Sequence, residues 1–136
     1  MTGEAQQDLF EAAHAAQANA HAPYSHFPVG AAIRTATGRV FSGSNVENVS
    51  FPEGICAEAA AIGAMVTAGE DTIVEVLTIA DGDEITTCCG GCRQRLAEFA
   101  DASTPVHAAG PDGIRRSFTL GELLPAAFGP QHLPPP

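Results

Sequence analysis

The sequence predicts an α/β fold in which helices cover both faces of a mixed sheet of about five strands, a three-layer α/β/α arrangement. Segments with helical periodicity alternate along the chain with short segments rich in β-branched residues, and this alternation is typical of layered α/β domains. The segment from Ile73 to Ala80 is almost entirely apolar, which indicates a strand with both faces covered. At 136 residues the chain has the length of one domain, so we expect residues 1–136 to form a single unit.

The individual elements follow from local periodicity and from the residues that interrupt it. Ala-rich helical spacing predicts an amphipathic N-terminal helix, and an almost unbroken apolar segment that ends near Gly69 predicts a buried helix. The capping-box spacing of Thr119 and Glu122 predicts a short helix that Pro125 ends. The predicted helices are residues 4–20, 56–67 and 89–99 and the short helix after Thr119; the predicted strands are residues 29–35, 39–44, 73–80, 105–109 and 114–119; and the Pro-rich tail, residues 131–136, is expected to fray.

The charge balance argues against a polyanionic partner. Sixteen acidic residues stand against six arginines and no lysine, for a formal net charge of -10, whereas proteins that bind nucleic acid neutralise phosphates with clustered Lys and Arg. No apolar run reaches the roughly 18 residues of a membrane span, and the first residues lack the basic and apolar segments of a secretory signal. We therefore expect a cytoplasmic protein that acts on a small uncharged molecule, with no nucleic-acid or membrane partner.

Three cysteines and one glutamate form the most informative pattern in the sequence. Cys56 and Glu58 lie at the start of one predicted helix, and Cys89 and Cys92 lie at the start of the next, 33 residues later. Helix N-termini favour thiolates, and three thiolates suit Zn²⁺ while leaving the fourth tetrahedral position open to water. The spacing therefore predicts a catalytic site for one Zn²⁺ per chain.

Glu58 is placed to reach the water and not the metal. Zinc lowers the pKa of a bound water to about 7, and a carboxylate two residues after Cys56 can shuttle protons between that water and a substrate. Without the thiols, Glu58 would be better explained as a first-turn carboxylate that the helix dipole favours.

The cysteines are also compatible with two other kinds of site. A closed structural zinc site would need Cys88 as a fourth ligand, but its sulfur and that of adjacent Cys89 could hardly complete one tetrahedron. A redox dithiol formed by Cys89 and Cys92 at a helix start is the stronger rival. Because that reading leaves Cys56 and Glu58 without a role, the zinc enzyme is favoured and the redox protein remains the alternative.

Five segments occur in a fixed order along the chain. They read PYSHFPVGAA, GSNVEN, GICAE, CGGCRQ and ELLPAAFGP, at residues 23–32, 43–48, 54–58, 89–94 and 122–130. In this order and spacing, the chain resembles the small, homotetrameric, zinc-dependent cytidine deaminase family over nearly its whole length. The resemblance implies that family's fold, a homotetramer with shared active sites, and hydrolytic deamination of cytidine and deoxycytidine to uridine and deoxyuridine in pyrimidine salvage.

The resemblance also implies roles for individual residues. Cys56, Cys89 and Cys92 would hold zinc, and Glu58 would be the proton shuttle that assists attack of zinc-bound hydroxide at C4 of the pyrimidine. The substrate-binding residues it implies are Phe27 as an aromatic wall against the pyrimidine, Asn45 and Glu47 as a ribose-binding pair at a strand end, Phe51 and Phe128 around a site shared between subunits, and Asn48, Val49, Ser50 and Ala57. Taken singly, each Phe is better explained by core packing.

The sequence departs from the family pattern at two positions. Cys88 stands where most relatives have proline, and Ala59 stands where many have an arginine that looks like a neutraliser of the zinc thiolates. We expect Arg93 or helix N–H groups to supply that compensation. A nucleotide substrate would need cations for its phosphate, which the pair Asn45 and Glu47 does not offer, whereas a related aminopyrimidine nucleoside analogue or antibiotic remains an alternative substrate.

Overall fold

The computed structural model describes residues 2–136. Its helices are α1 (Thr2–Gln17), α2 (Ala57–Thr67), α3 (Gly90–Ala97) and α4 (Leu120–Leu123), and its strands are β1 (Val29–Thr35), β2 (Val40–Ser44), β3 (Ile73–Ala80), β4 (Pro105–Gly110) and β5 (Gly113–Thr119). The five strands form one sheet in the order β2-β1-β3-β4-β5. β3 and β4 run parallel, and every other neighbouring pair is antiparallel. The sheet is therefore mixed, and the predicted α/β fold is confirmed.

Buried apolar side chains form two clusters, one on each face of the sheet. On one face, Leu9 and Ala13 of α1 pack with Leu77 and Ile79 of β3. On the other face, Val76 of β3 belongs to the cluster that α2 and α3 cover. The helix side chains in this second cluster are Ala61, Ile62 and Met65 of α2, Cys92 and Leu96 of α3, and Leu120 and Leu123 of α4. Because β3 sends side chains into both clusters, its sequence is apolar nearly throughout.

Two glycines allow the helices to approach the sheet closely. A Cβ atom on Gly43 of β2 would lie 2.6 Å from the Ala57 carbonyl oxygen of α2, and a Cβ atom on Gly30 of β1 would overlap the Ala13 carbonyl oxygen of α1. Any larger residue at either position would push a helix away from the sheet. The contact at Gly43 places the first turn of α2 beside the end of β2.

Several boundaries differ from those predicted. α1 ends at Gln17 and not at residue 20, since the Gln17 side chain donates hydrogen bonds to the Pro28 carbonyl (3.1 Å) and to Asp81 (3.0 Å). The tail is also more ordered than expected. Residues Pro130–His132 form a 3-10 helix, in which His132 Nδ1 accepts a hydrogen bond from the Gly129 N–H at 3.0 Å.

The predicted capping box at the start of α4 is present. The Thr119 hydroxyl accepts from the Glu122 N–H at 3.2 Å, and the Glu122 carboxylate accepts from the Thr119 N–H at 2.8 Å. These reciprocal bonds satisfy N–H groups that have no partner within the helix. Within residues 2–136, no helix has the length and hydropathy needed to cross a membrane.

Candidate active site

Three thiols converge where α2 and α3 begin. Cys56 is the N-cap of α2, Cys89 is the N-cap of α3, and Cys92 lies in the first turn of α3. Their sulfur atoms all lie within 4.8 Å of one another, and the Cys56 and Cys89 sulfurs are 3.8 Å apart. A tetrahedral zinc with Zn–S bonds of about 2.3 Å holds its sulfurs about 3.8 Å apart. The donor set and its spacing therefore fit one zinc ion.

The thiol cluster is closed on one side and open on the other. Cys92 is buried, Cys56 is half-buried and Cys89 is exposed. Cys56 and Cys89 line a cavity of about 390 Å³, and this volume falls in the range of small-molecule sites. A metal held by the three sulfurs would be reached from this cavity.

The three thiols differ in how readily they ionise without a metal. Burial raises the pKa of Cys56 and of Cys92. Burial also opposes ionisation of Cys89, but hydrogen bonds from the Cys92 backbone, the Cys92 thiol and the Cys56 thiol outweigh it and lower the pKa of Cys89. Zinc binding releases the protons that remain on such ligands, so metal affinity rises with pH.

Glu58 lies in the first turn of α2 and is only 3% exposed. Burial raises the pKa of its carboxyl group above the ordinary glutamate value, because water no longer stabilises the charged form. The Thr78 hydroxyl of β3 donates a hydrogen bond to Glu58 Oε2 at 3.2 Å. A buried carboxyl group whose pKa is shifted towards neutrality can both accept and donate a proton.

The cavity brings together most of the residues that the sequence assigned to the site. Glu58 and the two accessible thiols lie at one end of the lining. The other predicted residues that line the cavity are Phe27, Asn45, Glu47, Phe51 and Ala57. The ring of Phe51 is 75% exposed, so the mouth of the cavity is open beside it.

Asn45 and Glu47 both contact the loop of residues 23–29. β2 ends at Ser44, so the two residues follow the strand. The Asn45 amide accepts from the Val29 N–H at 2.9 Å and donates to the Phe27 carbonyl at 3.0 Å. These bonds fix the backbone on either side of residue 28.

The Glu47 carboxylate is held by the preceding loop. It accepts hydrogen bonds from the Tyr24 N–H at 3.0 Å, from the Ser25 N–H at 3.1 Å and from the Ser25 hydroxyl. The bond from the Ser25 hydroxyl, followed by that from the Ser25 N–H, lowers the pKa of Glu47. Glu47 therefore stays ionised near neutral pH at one wall of the cavity.

Four of the predicted substrate-binding residues lie outside the cavity lining. Asn48 lines a smaller adjoining groove and accepts a hydrogen bond from the Ser50 N–H at 2.8 Å. Val49 is 77% exposed. Phe128 is 59% exposed and stacks on His132, with ring centroids 5.2 Å apart. Within one chain, Asn48, Val49, Ser50 and Phe128 do not meet the thiol cluster.

The structure adds residues that the sequence reasoning missed. Thr78, Thr86 and Thr87 line the cavity beside Glu58 and Cys89. The sequence could have indicated Thr78, because it is a hydroxyl residue within the apolar segment of β3. No comparable signal singled out the other two threonines, which lie in the loop before α3.

Arg93 is not placed to compensate the thiolates, contrary to expectation. Its guanidinium donates to the Cys88 and Leu123 carbonyls, both at 2.9 Å, and to the Thr87 hydroxyl at 2.7 Å. Arg95 is the arginine that reaches the cluster, since its Nη1 lies 3.5 Å from Cys92 Sγ. Arg95 lies three residues after Cys92 and shares a helix face with it, whereas the Arg93 guanidinium is held by the other groups just named.

Cys88 lies apart from the other thiols. It is 2% exposed and belongs to the apolar cluster beneath α2 and α3. Burial raises its pKa to about 11, so it remains a neutral thiol at ordinary pH. The structure thus gives no support to a closed site with Cys88 as a fourth ligand.

Comparison with known proteins agrees with this geometry. Residues 3–108 match the family described as "Cytidine and deoxycytidylate deaminase zinc-binding region". The chain is 38% identical over 122 residues to a cytidine deaminase of Halalkalibacterium halodurans, covering 90% of this chain and 92% of that protein. It is 40% identical over 119 residues to a cytidine deaminase of Mycobacterium tuberculosis, covering 88% of this chain and 86% of that one.

A solved structure shares the whole architecture. The crystal structure of cytidine deaminase from Burkholderia pseudomallei superposes with a TM-score of 0.84 at 38% sequence identity, and the match covers 90% of this chain and 98% of that chain. The family match spans the segment that contains all three thiols and Glu58. The chain belongs to the cytidine and deoxycytidylate deaminase family and carries its zinc-binding region.

Proposed function

We propose that the protein is a zinc-dependent deaminase that hydrolyses cytidine and deoxycytidine to uridine and deoxyuridine and releases ammonia. The observation that carries the proposal is the position of Glu58, a buried carboxyl group beside three thiols spaced for zinc, in the lining of a nucleoside-sized cavity. The similar proteins named above are cytidine deaminases and match over most of both chains.

In the proposed reaction the metal activates water and Glu58 transfers protons. Zinc held by Cys56, Cys89 and Cys92 would supply a Lewis acid that activates water. Glu58 accepts a proton from the water that adds to the ring carbon, and it passes that proton to the adjacent ring nitrogen. Glu58 then takes the remaining proton from the hydroxyl group on that carbon and gives it to the amine, whose bond to the carbon breaks as the carbonyl forms, so that one water is consumed and one ammonia leaves. The bond from Thr78 holds one carboxylate oxygen and leaves the other free for these transfers.

The remaining lining residues would hold the nucleoside. Phe27 offers an aromatic wall for the pyrimidine, and the Glu47 carboxylate and Asn45 amide offer partners for sugar hydroxyl groups. Among the described residues that line the cavity there is no arginine, and ionised Glu47 would repel a phosphate. These features favour a nucleoside over a nucleotide.

We also propose a homotetramer in which neighbouring subunits complete each site. Phe51, Ile55, Val49 and Phe128 are exposed apolar side chains, and the first two line the cavity. Exposed apolar patches of this kind are typical of protein interfaces. In this arrangement Asn48, Val49, Ser50 and Phe128 act where subunits meet. A dilute monomer with full activity would contradict shared sites.

The cellular setting follows from the chemistry of the thiols. Cysteines that hold zinc must stay reduced, and all four cysteines are free, which fits the reducing cytoplasm. We propose that residues 1–136 act there as one catalytic domain in pyrimidine salvage. A dithiol redox role is not favoured, because Cys56 shares the cluster with Cys89 and Cys92.

The experiment that tests substrate choice is a parallel assay of cytidine, deoxycytidine, CMP and an aminopyrimidine nucleoside antibiotic. We expect turnover of both nucleosides and little turnover of CMP. A preference for CMP would contradict the role given to Glu47. Turnover of the antibiotic alone would replace the proposed substrate by the analogue.

A further inference from the structure

Arg95 makes an unusual contact in this chain. Its guanidinium Nη1 lies 3.5 Å from Cys92 Sγ, and this thiol is the hydrogen-bond acceptor found for it among the described residues. Arg95 lies three residues after Cys92 on α3, so the two side chains share one face of the helix. The contact is made with Cys92, the buried member of the thiol cluster.

The other arginines are engaged elsewhere. Those in ion pairs are Arg34 with Glu75, Arg39 with Glu70 and Arg115 with Asp112. Arg93 donates to two backbone carbonyls and a hydroxyl, and Arg116 lies over the Phe118 ring. With no lysine in the chain, Arg95 is the cation that the described structure brings to the thiols.

The backbone beside Cys92 leaves room for this contact. A Cβ atom added to Gly91 would lie 3.3 Å from Arg95 Nη1, which is closer than a side chain there would comfortably allow. The absence of a side chain at residue 91 therefore lets the guanidinium fold back over the first turn of α3. The space at Gly91 is thus compatible with the position in which the guanidinium contacts Cys92.

The negative charge of the thiol cluster favours a cation beside it. Three thiolates and one Zn²⁺ carry a net charge of about -1, and Glu58 adds a further negative charge when it is ionised. Ala59, three residues after Cys56 on α2, supplies no compensating charge. A guanidinium donor beside one sulfur stabilises the thiolate form, and outer partners of metal ligands typically govern metal affinity about 10- to 100-fold.

We propose that Arg95 is a positioning residue that compensates the negative charge of the zinc–thiolate cluster through Cys92 and thereby sets how tightly the protein holds zinc. The proposal rests on the proposed function, since it requires that the three thiols bind the metal. Arg95 itself touches neither substrate nor the reacting atoms.

The test is a competition for zinc between a chelator and each of four proteins: wild type, Arg95→Gln, Arg95→Lys and Arg116→Gln. Arg116→Gln removes the same charge from an exposed position on β5 and serves as the matched control. We expect Arg95→Gln to weaken zinc binding roughly 10-fold, because Arg95 is exposed and its field is partly screened. Arg95→Lys keeps the charge and should stay near wild type, and Arg116→Gln should match wild type.

Salt dependence and apo-protein stability separate charge compensation from a structural role. If the charge of Arg95 causes the effect, the difference in zinc affinity between wild type and Arg95→Gln becomes smaller as ionic strength rises. At about 1 M salt the Debye length is only about 3 Å, so the charge is screened. Metal-free Arg95→Gln should unfold at the same temperature as metal-free wild type.

Equal zinc affinity of wild type and Arg95→Gln would overturn the proposal and leave the proposed function intact. The same conclusion would follow if Arg116→Gln lost as much zinc affinity as Arg95→Gln. A folded wild-type protein that takes up no zinc would overturn both.

Discussion

The Thr78 hydroxyl donates a hydrogen bond to the Glu58 carboxylate at 3.2 Å, and both side chains are almost excluded from water, at 2% and 3% exposure. The bond joins β3 to the first turn of α2 across the layer between sheet and helix. It holds Glu58 Oε2 in one position, so the carboxylate does not have to be ordered when substrate binds. A hydrogen bond to a charged group of this kind is worth about 1.5–3 kcal/mol.

Replacement of Thr78 by valine removes the donor and keeps the shape of the side chain. We expect kcat to fall roughly 10-fold or more, since a factor of ten corresponds to about 1.4 kcal/mol, while KM for cytidine changes little. Steady-state kinetics of the zinc-loaded variant measures both. Thr104→Val, at another buried threonine outside the cavity lining, is the control, and an unchanged kcat in Thr78→Val would show that the bond does not position Glu58.

Replacement of Glu58 by glutamine removes the proton shuttle and keeps the size of the side chain. Turnover should drop by about 10²- to 10⁴-fold, the usual contribution of a positioned acid–base group. Zinc content should stay at the wild-type level because Glu58 is not among the three converging ligands. The exposed Glu98→Gln variant should behave as wild type. Near-normal turnover by zinc-loaded Glu58→Gln would remove Glu58 from the mechanism.

Variants of the adjacent residues Cys88 and Cys89 test which of the two is a zinc ligand and which is a core side chain. Cys89→Ala should lose zinc and activity together, because it removes one of three thiolates. Cys88→Ala should keep one zinc per chain and most activity, at a cost of about 1 kcal/mol in stability from the buried volume that is lost. Metal analysis of the two purified variants decides between them. If Cys88→Ala lost zinc and Cys89→Ala kept it, the zinc ligand would be Cys88 and not Cys89.

Glu47→Gln tests the wall of the cavity that faces the sugar. A charged acceptor binds a hydroxyl group more strongly than a neutral one does, so KM for cytidine should rise while the free base cytosine is affected less. Glu11→Gln, at an exposed glutamate of α1 outside the cavity lining, is the matched control. If KM for cytidine is unchanged in Glu47→Gln, the carboxylate does not bind the nucleoside.

The strength of a local pattern determined which elements the sequence could predict. The bounds of β1 and β3 match those predicted, because each apolar run ends at turn-forming residues. The end of α1 was missed, since residues 18–20 are compatible with a helix and the end depends on contacts of Gln17 with Pro28 and Asp81, which are distant in sequence.

In the site, too, the sequence predicts the residues that depend on local spacing and misses those that depend on contacts distant in the chain. The convergence of Cys56, Cys89 and Cys92 could be predicted from spacing, because both helices were expected to begin at those residues. Of the two expected sources of charge compensation, Arg93 or helix N–H groups, Arg93 was wrong, because its guanidinium is held by the Cys88 and Leu123 carbonyls, a contact that the sequence does not show. The role of Phe128 at a site shared between subunits stays a prediction, because it depends on contacts with a neighbouring chain.

The most direct test of the central claim is a zinc titration of metal-free protein with uridine and ammonia release from cytidine as the readout. We predict that activity rises in proportion to added zinc and saturates at one equivalent per chain, with uridine and ammonia formed in equal amounts. Folded protein that binds one equivalent of zinc but releases neither product from cytidine or deoxycytidine would contradict the account.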